Sequence, residues 1–460
     1  MTERLHREPL LWLVAIGFFM QTLDATVVNT ALPAMAVSLG ERPLAMQSVV
    51  IAYTLSMALL IPASGWIADR FGTRATYTGA LLLFGLASAL CALSTSLPAL
   101  AAARLLQGCG GAMLLPVGRL AVLRAFPPPR FLGAMSFVTI PGLVGPLVGP
   151  LLGGWLVVIA SWHWIFWINV PIALLGCLAT WRYMPASAGA RRVPFDAPGF
   201  MLIGVGMAAV TLSLQGLSEL HLPGLVVAAL GAVGVVAFIT YWHYSRRVVA
   251  PLFTPAIFNV PSFSIGLAGN LATRLGSGGM PFLVPLTLQV ALGYSPVRSG
   301  LALVPVALAA MTAKRTVVLL ITRLGFRRVL IGNTVLIGAI IATFAFLSAA
   351  EPPAIQVLQF ALYGAANSMQ FSAMNSLVLK DLGPAQTGEG NAMLSMTQML
   401  AMGLGVAVGA ALLGVFLRLT GGQPADLAAF RLTFVALGAL TALSAVVYRR
   451  LEDDGESTRN

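Results

Sequence analysis

Acidic residues are scarce in this chain. Only 15 of its 460 residues are Asp or Glu, and charged residues of both signs make up 9%, where a soluble domain carries about a quarter. That scarcity excludes an ordinary soluble fold, and a hydrophobic content of 58% points to an all-α integral membrane protein. Histidine is also rare. His6, His163, His221 and His243 all fall near the ends of apolar runs, so no Cys/His or Ser/His/Asp constellation converges and an enzyme is not expected. Cys91, Cys109 and Cys177 lie within apolar runs without metal-like spacing, so neither a disulfide framework nor a zinc site is supported. A Gly-rich loop ending in Lys-Ser/Thr is missing too, which argues against direct nucleotide use. No metal or other cofactor is expected.

What the chain does have is apolar stretches of membrane-spanning length, fourteen of them at about 20 residues each, with no sequence left over for a globular domain. The first, Pro9 to Pro33, is too long for the apolar core of a secretion signal and is expected to stay in the mature protein. The stretches fall into six, two and six. Residues 1–184 form a first six-helix bundle, 185–261 two linker helices with flanking loops, 262–448 a second six-helix bundle, and 449–460 a charged tail. The second bundle includes Ser262 to Leu292, Ser299 to Thr322 and Pro353 to Leu379. A net charge of +12 would suggest nucleic acid in a soluble protein. Here most basic residues fall in the tails and alternate loops, including Arg70, Arg74, Arg124 and Arg247. By the positive-inside rule both termini are cytoplasmic, and nucleic acid is not an expected partner.

One acid breaks the pattern. Asp24 lies about two-thirds of the way along the first apolar run, in LDATVVNTALP, while every other acid falls in a loop, helix end or tail. A charge at membrane depth is costly and marks a functional position by default. If a carboxylate carries a proton across, it is Asp24; the alternative is a neutral acid hydrogen-bonded between helices. Helical rotation places Gln21, Thr22, Asp24 and Asn29 on one broad side, read as water-facing. Arg104 lies deep in the fourth run, with Gln107 one turn later. A guanidinium does not deprotonate in proteins, so its use would be to bias a nearby carboxylate, unless the two form a simple structural pair.

The loop GWIADRFGTR, Gly65 to Arg74, follows the second run. Gly65 would let a neighbouring helix approach closely, Asp69 would face the positive end of a helix, and Arg70 and Arg74 would clamp it, with Gly72 between them. TRLGFR, Thr322 to Arg327, repeats this pattern after the tenth run, and Gly108 lines up with Gly364. Two parallel repeats of six spans with a binding site near the midplane describe a secondary transporter. In the fifth run Gly142, Gly145, Gly149 and Gly153 recur every three or four residues, with Pro146 and Pro150 between them. Such spacing allows close backbone contact, and the prolines bend the helix. Arg274, Lys314 and Arg315 fall within runs of the second bundle that hold no acid, a balance that favours an anionic guest unless carbonyls and water neutralise them.

LDATVVNTALP, GWIADRFGTR, RLLQGCGGAM (Arg104 to Met113) and GLVGPLVGPLLGG (Gly142 to Gly154), in this order, resemble the major facilitator superfamily, in particular its 14-span drug:proton antiporter branch. SWHWIFWINVP (Ser161 to Pro171) and AKRTVV (Ala313 to Val318) look more narrowly like MdtD-type multidrug resistance proteins. The resemblance implies a major-facilitator fold with 14 transmembrane helices, a gating role for Gly65 to Arg74, proton coupling around Arg104, and an antiporter signature in the fifth span.

The expectation is therefore a proton-coupled secondary transporter in the inner membrane that exports a small molecule by alternating access. Its partners would be the lipid bilayer, protons and the substrate, and it would act as a monomer. Asp24 and Arg104 would handle the proton. Gln21, Asn29, Gln107, Arg274, Lys314 and Arg315 would line the substrate cavity. The class of substrate is either the amphipathic compounds of drug exporters or an organic anion or metal chelate. A uniporter or nutrient symporter of the same fold, and a transport-inactive receptor or scaffold, are the rivals. The gating loop disfavours the scaffold, and the Gly/Pro-rich fifth span disfavours uptake.

Overall fold

The computed structural model describes residues 2–126, 128–185, 194–218, 223–421, 423 and 425–451. Helices account for 88% of it, with no strand among the described residues. Two compact units divide the chain: Met1–Phe195 with Ser295–Leu301, and Asp196–Tyr294 with Ala302–Asn460.

The first unit contains α1 (Thr2–Leu39), α2 (Gln47–Phe71), α3 (Thr73–Ala92), α4 (Leu97–Ala125), α5 (Pro128–Ile159), α6 (Trp164–Trp167) and α7 (Asn169–Tyr183). Helix α2 ends because Gly72 takes φ +85°, a conformation that disfavours a side chain. Ser96 caps α4 by accepting from the Ala99 N–H, as small hydroxyl residues do. The closest packing joins α1 to α5. A Cβ on Gly142 would overlap Phe18, one on Gly149 would overlap Thr26, and one on Gly153 would sit 2.6 Å from the Val27 carbonyl. The glycine stripe of the fifth run is therefore the seat of the helix that carries Asp24. Without a hydrophobic force between helices in lipid, such close contact is a main source of association.

A Cβ on Gly145 would meet the Thr22 hydroxyl and come within 2.8 Å of the backbone nitrogen of Leu23. Backbone cannot step aside as a side chain can. Gly145→Ala should therefore destabilise the unit by about 1–3 kcal/mol, the usual range for overpacking. Thermal unfolding in detergent measures this, and an unchanged Tm would rule out the contact.

The second unit contains α8 (Ala197–Ser218), α9 (Gly224–Ser245), α10 (Pro261–Ser277), α11 (Met280–Leu286), then α12 (Pro296–Ala302), most of which belongs to the first unit. It continues with α13 (Val304–Thr312), α14 (Lys314–Thr343), α15 (Pro353–Lys380), α16 (Pro384–Thr420) and α17 (Leu427–Leu443). Helices α8 and α9 pack together, and α8 packs on α16. Two acids fasten this region. Asp196 accepts from the Gly199 N–H at 2.9 Å, the Tyr244 hydroxyl at 2.7 Å and the Leu252 N–H at 2.7 Å. Glu389 of α16 accepts from the backbone N–H and the hydroxyl of Thr254.

Eleven helices among the described residues are long and apolar enough to cross a membrane, fewer than the fourteen read from hydropathy. The difference has two physical sources. Ser262 to Leu292 is divided between α10, α11 and a π-helical turn, Thr287–Ala291, and Ser299 to Thr322 is split near Leu303 and Ala313. Pro353 to Leu379 is one helix, but Gln356, Gln359, Asn367, Gln370 and Asn375 dilute its hydropathy.

The internal repeat has a backbone counterpart. Gly325 takes φ 78° and ψ 162°, close to the 85° and 152° of Gly72, so both loops turn on a glycine in the same conformation. Gly108 abuts Tyr53 and Ser56 of α2, and Gly364 abuts Val306 of α13. In each unit this glycine lets one helix touch the backbone of the corresponding partner.

Candidate functional site

Asp24 is wholly buried in the first unit, among residues of α2, α3, α4 and α7. Its Oδ2 accepts from Arg104 Nη1 at 2.6 Å, and its Oδ1 accepts from Gln107 Nε2 at 2.9 Å and Asn169 Nδ2 at 3.0 Å. Three donors thus converge on an acceptor-only group. Ser88 completes the cluster: its hydroxyl receives Gln107 Nε2 and Asn169 Nδ2, each at 3.1 Å, and donates to the Phe166 carbonyl at 2.9 Å.

Arg104 has a second set of partners besides the carboxylate. Nη1 also donates to Gln107 Oε1 at 2.6 Å, and Nε donates to the Val49 carbonyl at 3.4 Å. The guanidinium lies 4.0 Å from the Tyr53 ring centroid and 5.8 Å from that of Phe166. Cation–π contact of this kind strengthens when desolvated. Arg104 therefore keeps a polar seat if its carboxylate partner is neutralised. The buried cation thus does not depend on Asp24 alone for its contacts.

The other residues of the first helix part company. Asn29 donates to the Ala25 carbonyl at 3.2 Å, and its Oδ1 has no partner, as is also true of Gln21 Oε1. Thr22 donates to the carbonyls of Phe18 and Phe19 and rests against Gly145. The expected water-facing stripe is thus divided: residues two apart point about 200° from one another on a helix, so Thr22 serves α5 while Asp24 serves α4 and α7. Gln107 is part of the buried cluster.

At the loop after α2, Asp69 pairs with Arg124 from the last turn of α4, Nη2 to Oδ1 at 2.7 Å. Arg70 is exposed, and Arg74 Nε donates to the Met184 carbonyl at 2.6 Å. Among the described residues the Asp69 carboxylate is thus paired by Arg124, not by Arg70 or Arg74. Gly65 is exposed, with nothing within 4 Å of a Cβ there, so the close helix approach expected of it is not made in this structure. The Asp69 and Arg124 side chains are 46% and 34% exposed, and such pairs contribute about 0.2–1 kcal/mol. Asp69→Asn and Arg124→Gln should each shift two-sided cysteine accessibility by no more than about fivefold, with no further shift on combining them. Additive shifts would show that the residues act separately.

In the second unit Arg274 Nε donates to Asn270 Oδ1 at 2.9 Å, and its guanidinium lies 5.3 Å from the Phe371 ring centroid. No carboxylate pairs with it among the described residues. Asn270 is wholly buried, and its Nδ2 has no partner. The side chains of Lys314 and Arg315 lie outside the described residues. A neutral network sits nearby: Asn333 donates to Gln370 at 2.8 Å, Gln370 to Thr334 at 2.7 Å, and Thr273 meets Ser444 at 3.1 Å and Tyr448 at 3.3 Å.

The sequence profile of the Major Facilitator Superfamily matches residues 14–405. The chain belongs to the major facilitator superfamily. It is 46% identical over 446 residues to a Pectobacterium carotovorum protein named "Putative multidrug resistance protein MdtD", covering 96% of both chains. The Escherichia coli (strain 55989) protein of that name is 46% identical over 452 residues, covering 96% of this chain and 94% of the relative. Among solved structures, a POT family transporter in complex with a thioalcohol-conjugated peptide matches with TM-score 0.70 and 16% identity, over 95% of this chain and 94% of that one. The nucleoside transporter NupG matches with TM-score 0.65 and 15% identity, over 96% and 100%. As a major-facilitator protein the chain is a multi-pass membrane transporter and not an enzyme.

Asn169, Ser88 and Tyr53 are the site residues that sequence reasoning passed over. Asn169 had a signal, since it stands inside SWHWIFWINVP. Ser88 and Tyr53 had none beyond being polar within apolar runs.

Proposed function

We propose that this major-facilitator protein is a proton-coupled antiporter of the inner membrane that exports a small molecule by alternating access. The observation that carries this reading is the buried Asp24–Arg104 pair with its amide partners. A carboxylate whose only cationic partner is a buried arginine makes ionisation and conformation interdependent. Protonating Asp24 removes the strongest contact between α1 and α4 and frees one to move on the other. Each proton moving down 100 mV contributes about 2.3 kcal/mol, enough for a concentration ratio of several tens. Both termini are cytoplasmic, and the chain crosses the bilayer fourteen times, three of the crossings being broken or more polar helices. Asp69 and Arg124 form a cytoplasmic latch, and the protein works as a monomer without a cofactor.

The relatives' name suggests drugs as the exported compounds. Arg274, which bonds an amide oxygen and pairs with no carboxylate among the described residues, supports an anionic or zwitterionic substrate instead, because like-sign repulsion is amplified where the dielectric is low. Everted vesicles under an imposed pH gradient, offered organic carboxylates and lipophilic cations in parallel, test both readings. Accumulation that persists when the gradient is collapsed would rule out proton coupling.

A further inference from the structure

A groove of about 610 Å³ runs along the outer face of the first unit between α1, α3 and α7. Glu8, Trp12, Ile16 and Met20, four residues apart on one ridge of α1, form one wall, Gly176 lowers the other, and Tyr183 stands at the end near Glu8. Trp12 is 55% exposed and Ile16 45%, so the ridge faces outward with its apolar side. From Glu8 to Met20 the helix rises about 18 Å, close to half of the roughly 30 Å hydrocarbon core. The groove therefore spans one leaflet, from the end that carries Glu8, the only charged lining residue among the described residues, to a blind end one helical turn short of Asp24. Its volume holds roughly twenty groups of water's size, about 30 Å³ each, which suits one acyl chain and not two.

We propose that this groove binds one chain of a phospholipid whose headgroup carries a primary ammonium. Glu8 accepts hydrogen bonds from the ammonium. Arg182, whose guanidinium lies 5.5 Å from the Tyr183 ring centroid, stands at the same end to meet the phosphate. Charges of both signs at the mouth complement a zwitterionic headgroup. The acyl chain leaves one apolar solvent for another and gains little from that transfer, so selectivity comes from the headgroup. A trimethylated ammonium has no N–H to offer Glu8, and a glycerol headgroup has no positive charge. Assigning the site to the inner leaflet rests on the orientation proposed above; the binding itself does not.

The test needs no transport. Purified protein is equilibrated in mixed micelles of phosphatidylethanolamine, phosphatidylcholine and phosphatidylglycerol in equal amounts, and retained lipid is counted by native mass spectrometry. The wild type should retain one phosphatidylethanolamine in about tenfold preference to the other two, the scale of a charge-assisted hydrogen bond. Glu8→Gln should remove the preference. Ala179→Trp, which fills the groove from α7, should lose the bound lipid of any class while its Tm stays within the wild-type range; a variant that fails to fold is replaced by Ile172→Trp on the same wall. Equal retention of the three lipids, an unaltered preference in Glu8→Gln, or lipid still held by the filled variants would overturn the proposal. Displacement of the lipid by a single-tailed quaternary ammonium, but not by added phosphatidylethanolamine, would also overturn it and make the groove an access route for amphiphilic cations.

Discussion

Asp24→Asn is expected to abolish accumulation driven by a pH gradient and to leave carrier-mediated exchange at equilibrium in place. The amide keeps the shape of the carboxyl but has no proton to exchange, so transport no longer draws on the gradient. Stability should fall as well. Removing one partner of a buried ion pair costs about 3–5 kcal/mol, and the lower end applies here because Gln107, the Val49 carbonyl and the Tyr53 ring still hold Arg104. The double variant Asp24→Asn with Arg104→Gln separates the two effects: removing both charges should recover much of the lost Tm while coupling stays absent. Full gradient-driven activity in the single variant would eliminate Asp24 as the proton site.

Much of this site could be read in advance because charge at membrane depth is so rare. A single acid and a deep arginine left one plausible pair, and the structure brings them to 2.6 Å. Neutral polar residues gave no comparable signal. Asn169 makes two hydrogen bonds in the cluster and Ser88 three, yet an Asn or Ser in an apolar run can equally bond its own helix backbone, as Thr22 and Asn29 do. The ion-pair partner of Asp69 differs from expectation for a related reason. Sequence proximity suggested Arg70 and Arg74 for Asp69, whereas helix ends meet in space, and the last turn of α4 supplies Arg124. Hydropathy marked where apolar chain lies but could not see the breaks: Gly278 and Gly279 separate α10 from α11, and the average over a window is blind to a change in hydrogen-bond register.

The two deep arginines are expected to respond in opposite ways. Arg104 is matched by a carboxylate, whereas Arg274 has Asn270 Oδ1 and an aromatic face, a donor-rich site beside the unpartnered Asn270 Nδ2. Arg274 is only partly buried, but even a partly desolvated charge with no opposite charge beside it costs stability. Arg274→Gln should therefore raise the Tm or leave it unchanged, unlike any substitution of the Asp24 pair. Transport should move the other way. Losing charge-assisted bonds worth about 1.5–3 kcal/mol weakens handling of a carboxylate substrate by roughly ten- to a hundredfold, read as a higher KM in vesicles. Arg274→Lys should recover part of this, since it restores the charge without the planar fork that meets a carboxylate with two bonds. A gain in stability with a loss of anion transport is the signature of a residue kept for its ligand. Transport of a lipophilic cation that is unaffected by Arg274→Gln, and that no organic carboxylate competes with, would return the substrate assignment to amphipathic drugs.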